Sequence, residues 1–272
     1  MRILIGLLIA FLLTGCFPRL QPAPPAARAV APIVDRIPPT VAALPVNPPQ
    51  VTNRQISEIH FEGVAFDSRD HHLVVADQPG GPGSRYADAE TAARSRRGTA
   101  AVNAGFFTPE GAPLGLVVSS GKIAGSWNST SSLGSGAWSE NPGGVMAITR
   151  REKLGRGGAT AMRELIQAGP LLVENSRSVS GLEATKSSAR TLILWDGGAR
   201  WWMGCSSPCT LAAISQALAT GEPAGWPVRS ALNLDGGRSS DLWISDAING
   251  GPVLRRLPWN RPVRNFLVLV AR

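Results

Sequence analysis

The chain has 272 residues and ordinary apolar content, enough for one large domain or two small ones with a sizeable core. Its formal net charge of +8 favours acidic partners such as phospholipid head groups or anionic envelope polymers. The excess is mostly arginine scattered singly, with no basic run interleaved with aromatics, which argues against nucleic-acid binding.

Arg2 and an apolar run from Ile3 to Leu13 open the sequence. That run is short for a bilayer span and right for a signal-peptide core. Leu13-Thr14-Gly15-Cys16 sets small residues before a cysteine and resembles a bacterial lipobox. The resemblance implies a signal peptide over residues 1–15, cleavage before Cys16 and lipidation of Cys16. Phe17, standing where a retained protein commonly has aspartate, points to an outer-membrane anchor facing the periplasm. A simple signal peptide with an incidental cysteine is the other reading. Residues 16–52 are rich in Pro and Ala and poor in charge, the composition of an extended tether that buries no core. The folded domain is expected over residues 53–272.

Within it, Ile59-His60-Phe61-Glu62, Val64-Ala65-Phe66-Asp67 and His71 to Asp77 read as strands. Tyr86 to Arg97 is alanine-rich and helical, stopped by Gly98. Thr99 to Val102 enters a strand, and Asn103-Ala104-Gly105-Phe106-Phe107 follows, an amide at a strand end and then a glycine. Pro113 to Val118 and Gly121 to Ile123 suggest a hairpin. Trp127 to Gly144 is Ser/Gly-rich without period and reads as a long surface loop; Val145 to Ile148 is a strand. Leu165 to Val173 contains Gln167-Ala168-Gly169-Pro170, where Gln167 either holds a sugar hydroxyl or marks a strand bend. Thr191 to Leu194 pairs with Trp201 to Met203 across Gly197-Gly198. Thr210 to Leu218 is an amphipathic helix with Leu211, Ile214 and Leu218 on one face. Arg264 to Val270 is a buried closing strand. Strands outnumber helices without strict alternation, so the class is α+β, with mixed, largely antiparallel sheets and a few helices.

One stretch organises the chemistry. From Val228 to Leu234, alternation places Val228, Ser230, Leu232 and Leu234 on one face and Asn233 and Asp235 on the other. Asp235-Gly236-Gly237 then turns the chain, which taken alone signals a hairpin. Ser239 and Ser240 add hydroxyls. Asn233-Leu234-Asp235-Gly236-Gly237 resembles the Asn-Leu-Asp-Gly-Gly-Gly-Ser signature of the phosphodiester glycosidase family. The strings at Asn103, at Gln167-x-Gly169-Pro170 and at Arg190-Thr191 are similar to others of that family, so the resemblance covers most of 56–272 as short islands. It implies hydrolysis of a sugar-1-phosphodiester. Arg238 departs from the pattern, standing where the family often has a third glycine, and either adds phosphate affinity or narrows the pocket.

On chemical grounds the steps divide as follows. A phosphate monoester leaves as a stable anion, so one acid suffices where ordinary glycosidases use two. Asp235 acts as nucleophile or base, beside Asn103. Arg190 and the Gly236 and Gly237 N–H groups face the phosphate. Asn233, Gln167, Gly169, Gly105, Ser239 and Ser240 complete the substrate site. No cofactor is called for, although Asp235, Asn103 and backbone oxygens form a set a divalent cation could occupy. His60, His71 and His72 lack metal-site or triad spacing. Cys205 and Cys209 in a periplasm suggest a disulfide, with two free thiols as the alternative. The rival functions are a non-catalytic envelope glycan-binding lipoprotein and a metal-dependent phosphodiesterase that cuts P–O.

Overall fold

The structure is a computed structural model and describes residues 47–272. The expected signal peptide, the expected lipidation site Cys16 and most of the expected tether lie outside the described residues. The chain lays down β1 (Gln50–Ile56), β2 (Ile59–Asp67), β3 (His71–Asp77), helix α1 (Ala89–Ser95) and β4 (Ala100–Asn103). A hairpin of β5 (Val117–Ser119) and β6 (Lys122–Ala124) precedes another of β7 (Gly136–Glu140) and β8 (Met146–Arg150). Then come α2 (Arg151–Thr160), β9 (Glu164–Ala168), β10 (Leu171–Glu174) and β11 (Arg177–Ser178). The long hairpin β12 (Ser188–Trp195) and β13 (Arg200–Cys209) leads to α3 (Leu211–Thr220), β14 (Ser230–Asn233), β15 (Leu242–Ile244), β16 (Val253–Arg255) and β17 (Asn265–Ala271).

The strands form three sheets. Their orders are β1-β2-β13-β12-β14-β10-β11, β16-β15-β4-β17-β3 and β6-β5-β9-β7-β8. The ladders are antiparallel, which makes the fold the α+β arrangement expected. One face of each sheet feeds a common core: Val64, Ile193 and Leu232 from the first, Leu73, Val102 and Leu267 from the second, Trp138 and Ile166 from the third. The outer faces carry one helix each. α3 covers Leu192, Leu194 and Trp202 with Ile214 and Leu218. α1 covers Ala101, Phe266 and Val268 with Ala89, Ala92 and Ala93. Ala159 of α2 packs with Val118 and Leu165.

Local chemistry accounts for the boundaries. α1 is shorter than Tyr86–Arg97 because the Asp88 carboxylate accepts the Thr91 N–H at 2.8 Å and caps the helix there. Thr210 caps α3 in the same way, through the Ala213 N–H at 3.1 Å. The β12–β13 hairpin turns across Gly197-Gly198, with Trp195 opposite Trp201.

Three expectations change. β1 takes in Gln50 to Thr52, which pair with Ala65 to Gly63 of β2, so the folded part begins inside the expected tether. The expected loop from Trp127 to Gly144 contains β7, buried along its whole length. Both of its faces are covered, so Trp138 and Glu140 are buried as fully as Ala137, and a Cβ on Gly136 would meet Leu171 and Leu232 at 2.9 Å. α2 carries Gly155, Gly157 and Gly158, whose low helix propensity hid it, and Gly155 kinks it at φ 64°.

Candidate active site at the seam of two sheets

β14 runs between β12 and β10 in the first sheet. Past Asn233 the chain leaves that sheet in two steps. The Leu234 N–H donates to the Thr191 carbonyl at 2.8 Å, and the Asp235 N–H donates to the Ala104 carbonyl, just past β4, at 2.8 Å. Asp235 is thus carried from the first sheet to the second and stands at their seam.

Asn103, the last residue of β4, fixes that crossing. Its Nδ2 donates to the Asp235 carbonyl at 2.6 Å, and its Oδ1 accepts from Thr191 Oγ1 at 2.8 Å and from the Asp241 N–H at 2.9 Å. Asn103 is fully buried, so the amide is a structural clasp around the acid. Its oxygen already takes two hydrogen bonds.

Asp235 is half-buried and has no ion pair among the described residues. Its Oδ1 accepts the Gly236 N–H at 2.9 Å. Burial raises its pKa to about 6, against the Ser239 hydroxyl and the Gly236 N–H, which favour the ionised form. A carboxyl poised near neutrality is suited to proton transfer or nucleophilic attack. The glycines after it are sterically required. A Cβ on Gly236 would lie 2.7 Å from the Ala189 carbonyl, and Gly237 has φ +62°.

Asn233 and Gly169 also meet here: Asn233 Nδ2 donates to the Gly169 carbonyl at 2.9 Å and leaves its buried Oδ1 without a partner among the described residues. Asn265, which opens β17, is a site neighbour that sequence reasoning missed. Its Oδ1 accepts the Gly105 N–H at 2.7 Å and its buried Nδ2 has no partner among the described residues. A polar residue opening the apolar run Phe266 to Val270 was the available signal. Thr191 and Asp241 were missed as well, and both act through Asn103. The Ser240 hydroxyl lies 3.4 Å from Thr191 Oγ1. Beside this turn a cavity of about 390 Å³ opens, lined among others by Ala189, Gly237, Ser240, Leu254 and Leu257.

Other expected site residues stand differently. Gln167 is buried, and its amide is spent on the backbone. Its Oε1 accepts from the Leu116 and Asn128 N–H groups, while Nε2 donates to the Asn128 and Gly134 carbonyls. It shapes the 128–134 loop and has no atom left for a sugar. The Arg190 guanidinium donates to the carbonyls of Lys186 at 2.9 Å and Cys209 at 3.0 Å, keeping a charge with no carboxylate partner among the described residues. Its Cα lies 3.5 Å from where a Gly236 Cβ would sit, so its strand borders the turn. Arg238 is exposed and donates to the Trp259 carbonyl, bracing a neighbouring loop and leaving the turn open.

Cys205 and Cys209 are buried free thiols, not the expected bridge. Both lie on β13, where four residues of extended chain separate Cα atoms by roughly 10–13 Å, beyond the ~7 Å that a disulfide spans. Burial pushes the Cys205 thiol up to about 12 and raises Cys209 as well.

The fold has solved counterparts. The chain is similar to the catalytic domain of zebrafish N-acetylglucosamine-1-phosphodiester alpha-N-acetylglucosaminidase, with 17% identity, a TM-score of 0.54 and coverage of 82% of each chain. It is also similar to a hypothetical protein from Synechocystis, with 19% identity and a TM-score of 0.57, over 83% of this chain and 62% of that one. No curated protein gives a significant match. Residues 96–270, which include β4, the Asn103 clasp and the Asp235 turn, match the phosphodiester glycosidase family, and the chain belongs to it.

Proposed function

We propose that this protein hydrolyses the glycosidic bond of a sugar-1-phosphodiester in the bacterial cell envelope, with Asp235 as the reacting carboxylate. The family and the fold support a glycosidase-type hydrolase. The observation that carries the finer reading is the isolated Asp235 carboxyl at the sheet seam, free of any ion pair among the described residues and held near neutrality by burial.

A single acid is enough for this chemistry. The bond that breaks joins the anomeric carbon to a phosphate oxygen, and the phosphate departs as an anion without needing a strong acid to protonate it. Ionised Asp235 works at the anomeric carbon, as nucleophile or as the base that activates water. Positive charge on the leaving side comes from Arg190, whose strand borders the Gly236 turn. The Leu254 and Leu257 side of the neighbouring cavity receives the group beyond the phosphate. The location rests on the signal-like run and Cys16, which would tether the mature chain by lipid to the outer membrane.

The test is a panel of sugar-1-phosphodiesters offered to the wild type and to Asp235→Asn. Release of free sugar by the wild type alone supports the proposal. A wild type that binds envelope glycan and releases sugar from no member of the panel would make the protein a non-catalytic binder.

A further inference from the structure

Outside the Asp235 site, three cations from three separate segments converge on one concavity of about 470 Å³. Arg85 comes from the loop before α1, Arg96 from the C-terminal end of α1, and Lys122 from the β5–β6 hairpin. None of the three side chains donates to a carboxylate among the described residues, and the Arg96 Nε is buried without any partner. A desolvated guanidinium N–H with nothing to donate to is unfavourable unless an anion meets it.

The acids nearby do not supply that anion. Both oxygens of Asp77 are taken by Arg264, at 2.8 and 3.0 Å. Both oxygens of Glu164 are taken, by the Val75 N–H and by the Ser120 N–H and hydroxyl, behind the groove wall. A second hollow continues the groove along β3 past Arg96 and Ser120 and adds Arg97. β3 is the edge strand of its sheet, so the groove follows an open margin of the molecule.

The groove also lies close to the catalytic seam. Asp77 stands opposite Asn265 on β17, and the next residue, Phe266, stands opposite Asn103 on β4. Two strand spacings, about 10 Å, separate these positions.

We infer that this groove binds a phosphate group through Arg85, Arg96 and Lys122, and that in the substrate this is a second phosphate of an anionic glycan chain. The identity of that chain rests on the function proposed above; the binding of phosphate does not. The substrate class is therefore a glycan with repeated phosphates, one placed at the seam and another in the groove.

Calorimetric titration of the whole protein with inorganic pyrophosphate tests the site. Saturable binding is expected, weakened by about tenfold or more in Arg96→Gln/Lys122→Gln, as loss of charge-assisted bonds requires. Asp235→Asn is expected to bind as the wild type does. Should the double variant fail to fold, Arg85→Gln, on an exposed loop, is read in its place. No saturable binding, or binding the variants leave unchanged, overturns the inference. Capture on anionic phospholipid vesicles that the double variant loses and pyrophosphate does not compete for would assign the groove to the membrane and overturn it too. If pyrophosphate binds as expected while no sugar-1-phosphodiester is hydrolysed, the groove stands and the catalytic reading falls separately.

Discussion

The Asn103 side chain holds the Asp235 main chain: Nδ2 donates to the Asp235 carbonyl at 2.6 Å, while the Asp235 N–H returns to the Ala104 carbonyl at 2.8 Å. The acid is thereby fixed by the strand end of one sheet although its own strand belongs to another. Asn103 is a positioning residue in this account, and its loss should show in both stability and rate. Asn103→Ala leaves the Asp241 N–H and the Asp235 carbonyl unpaired and should cost about 2–3 kcal/mol. Asn103→Asp keeps the acceptor and loses the donor. Its kcat should fall roughly 10–100-fold with KM little changed, because a small displacement of the reacting group is expensive. Thermal melting and steady-state kinetics check the pair, and a raised KM at unchanged kcat would place the amide on the substrate instead.

The Asp235 carboxyl couples activity to stability in opposite senses. Its folded pKa, about 6, is above the ordinary 3.8, so the folded state holds its proton more tightly than the unfolded chain does. The stabilisation from that proton is complete below pH 3.8 and is lost as pH rises through about 6. Asp235→Asn removes the burden of an ionised buried acid. The variant should be more stable than the wild type at pH 7 by about 1–2 kcal/mol, a margin reduced by partial solvent access. That margin should vanish towards pH 4, as denaturant titrations at the two pH values would show. The wild-type rate should fall as pH drops below about 6, following loss of the carboxylate.

Gln167→Ala separates a scaffold residue from a substrate ligand. Four backbone groups lose their partners in the 114–134 region. The loss should cost about 2–4 kcal/mol in melting experiments. KM of the molecules that remain folded should stay near the wild-type value, whereas a stable variant with a large rise in KM would restore the sugar-binding reading.

Cys205 and Cys209 should both alkylate after denaturation without reductant, and resist alkylation in the native protein. Peptide mapping reads this directly. Burial holds both thiols protonated and inaccessible. A peptide pair linked through the two cysteines would contradict the strand geometry.

How much was legible in the sequence depended on whether a residue's partners are local. The closing strand and the Gly197-Gly198 hairpin carry their own pattern, and the structure has both. Asn103 and Asp235 stood out because each is a polar residue at or just past a strand end with a glycine within two residues, and they do meet. β7 was illegible because both its faces are covered, so Gly136-Ala137-Trp138-Ser139-Glu140 shows no alternation of apolar and polar residues. Gln167 looked like a ligand because a buried amide before Gly-Pro has the same appearance whether it faces sugar or backbone. Only tertiary contacts show that Asn128 and Gly134 consume it. The cysteines misled because spacing says nothing about direction along an extended strand.

The central claim is that the bond broken lies between the anomeric carbon and oxygen, next to Asp235. Hydrolysis of a sugar-1-phosphodiester in ¹⁸O-labelled water, with both products analysed by mass spectrometry, tests it most directly. Label is expected in the released sugar and none in the phosphate, with turnover abolished in Asp235→Asn. Label in the phosphate would mean that the P–O bond is cut, and would contradict it.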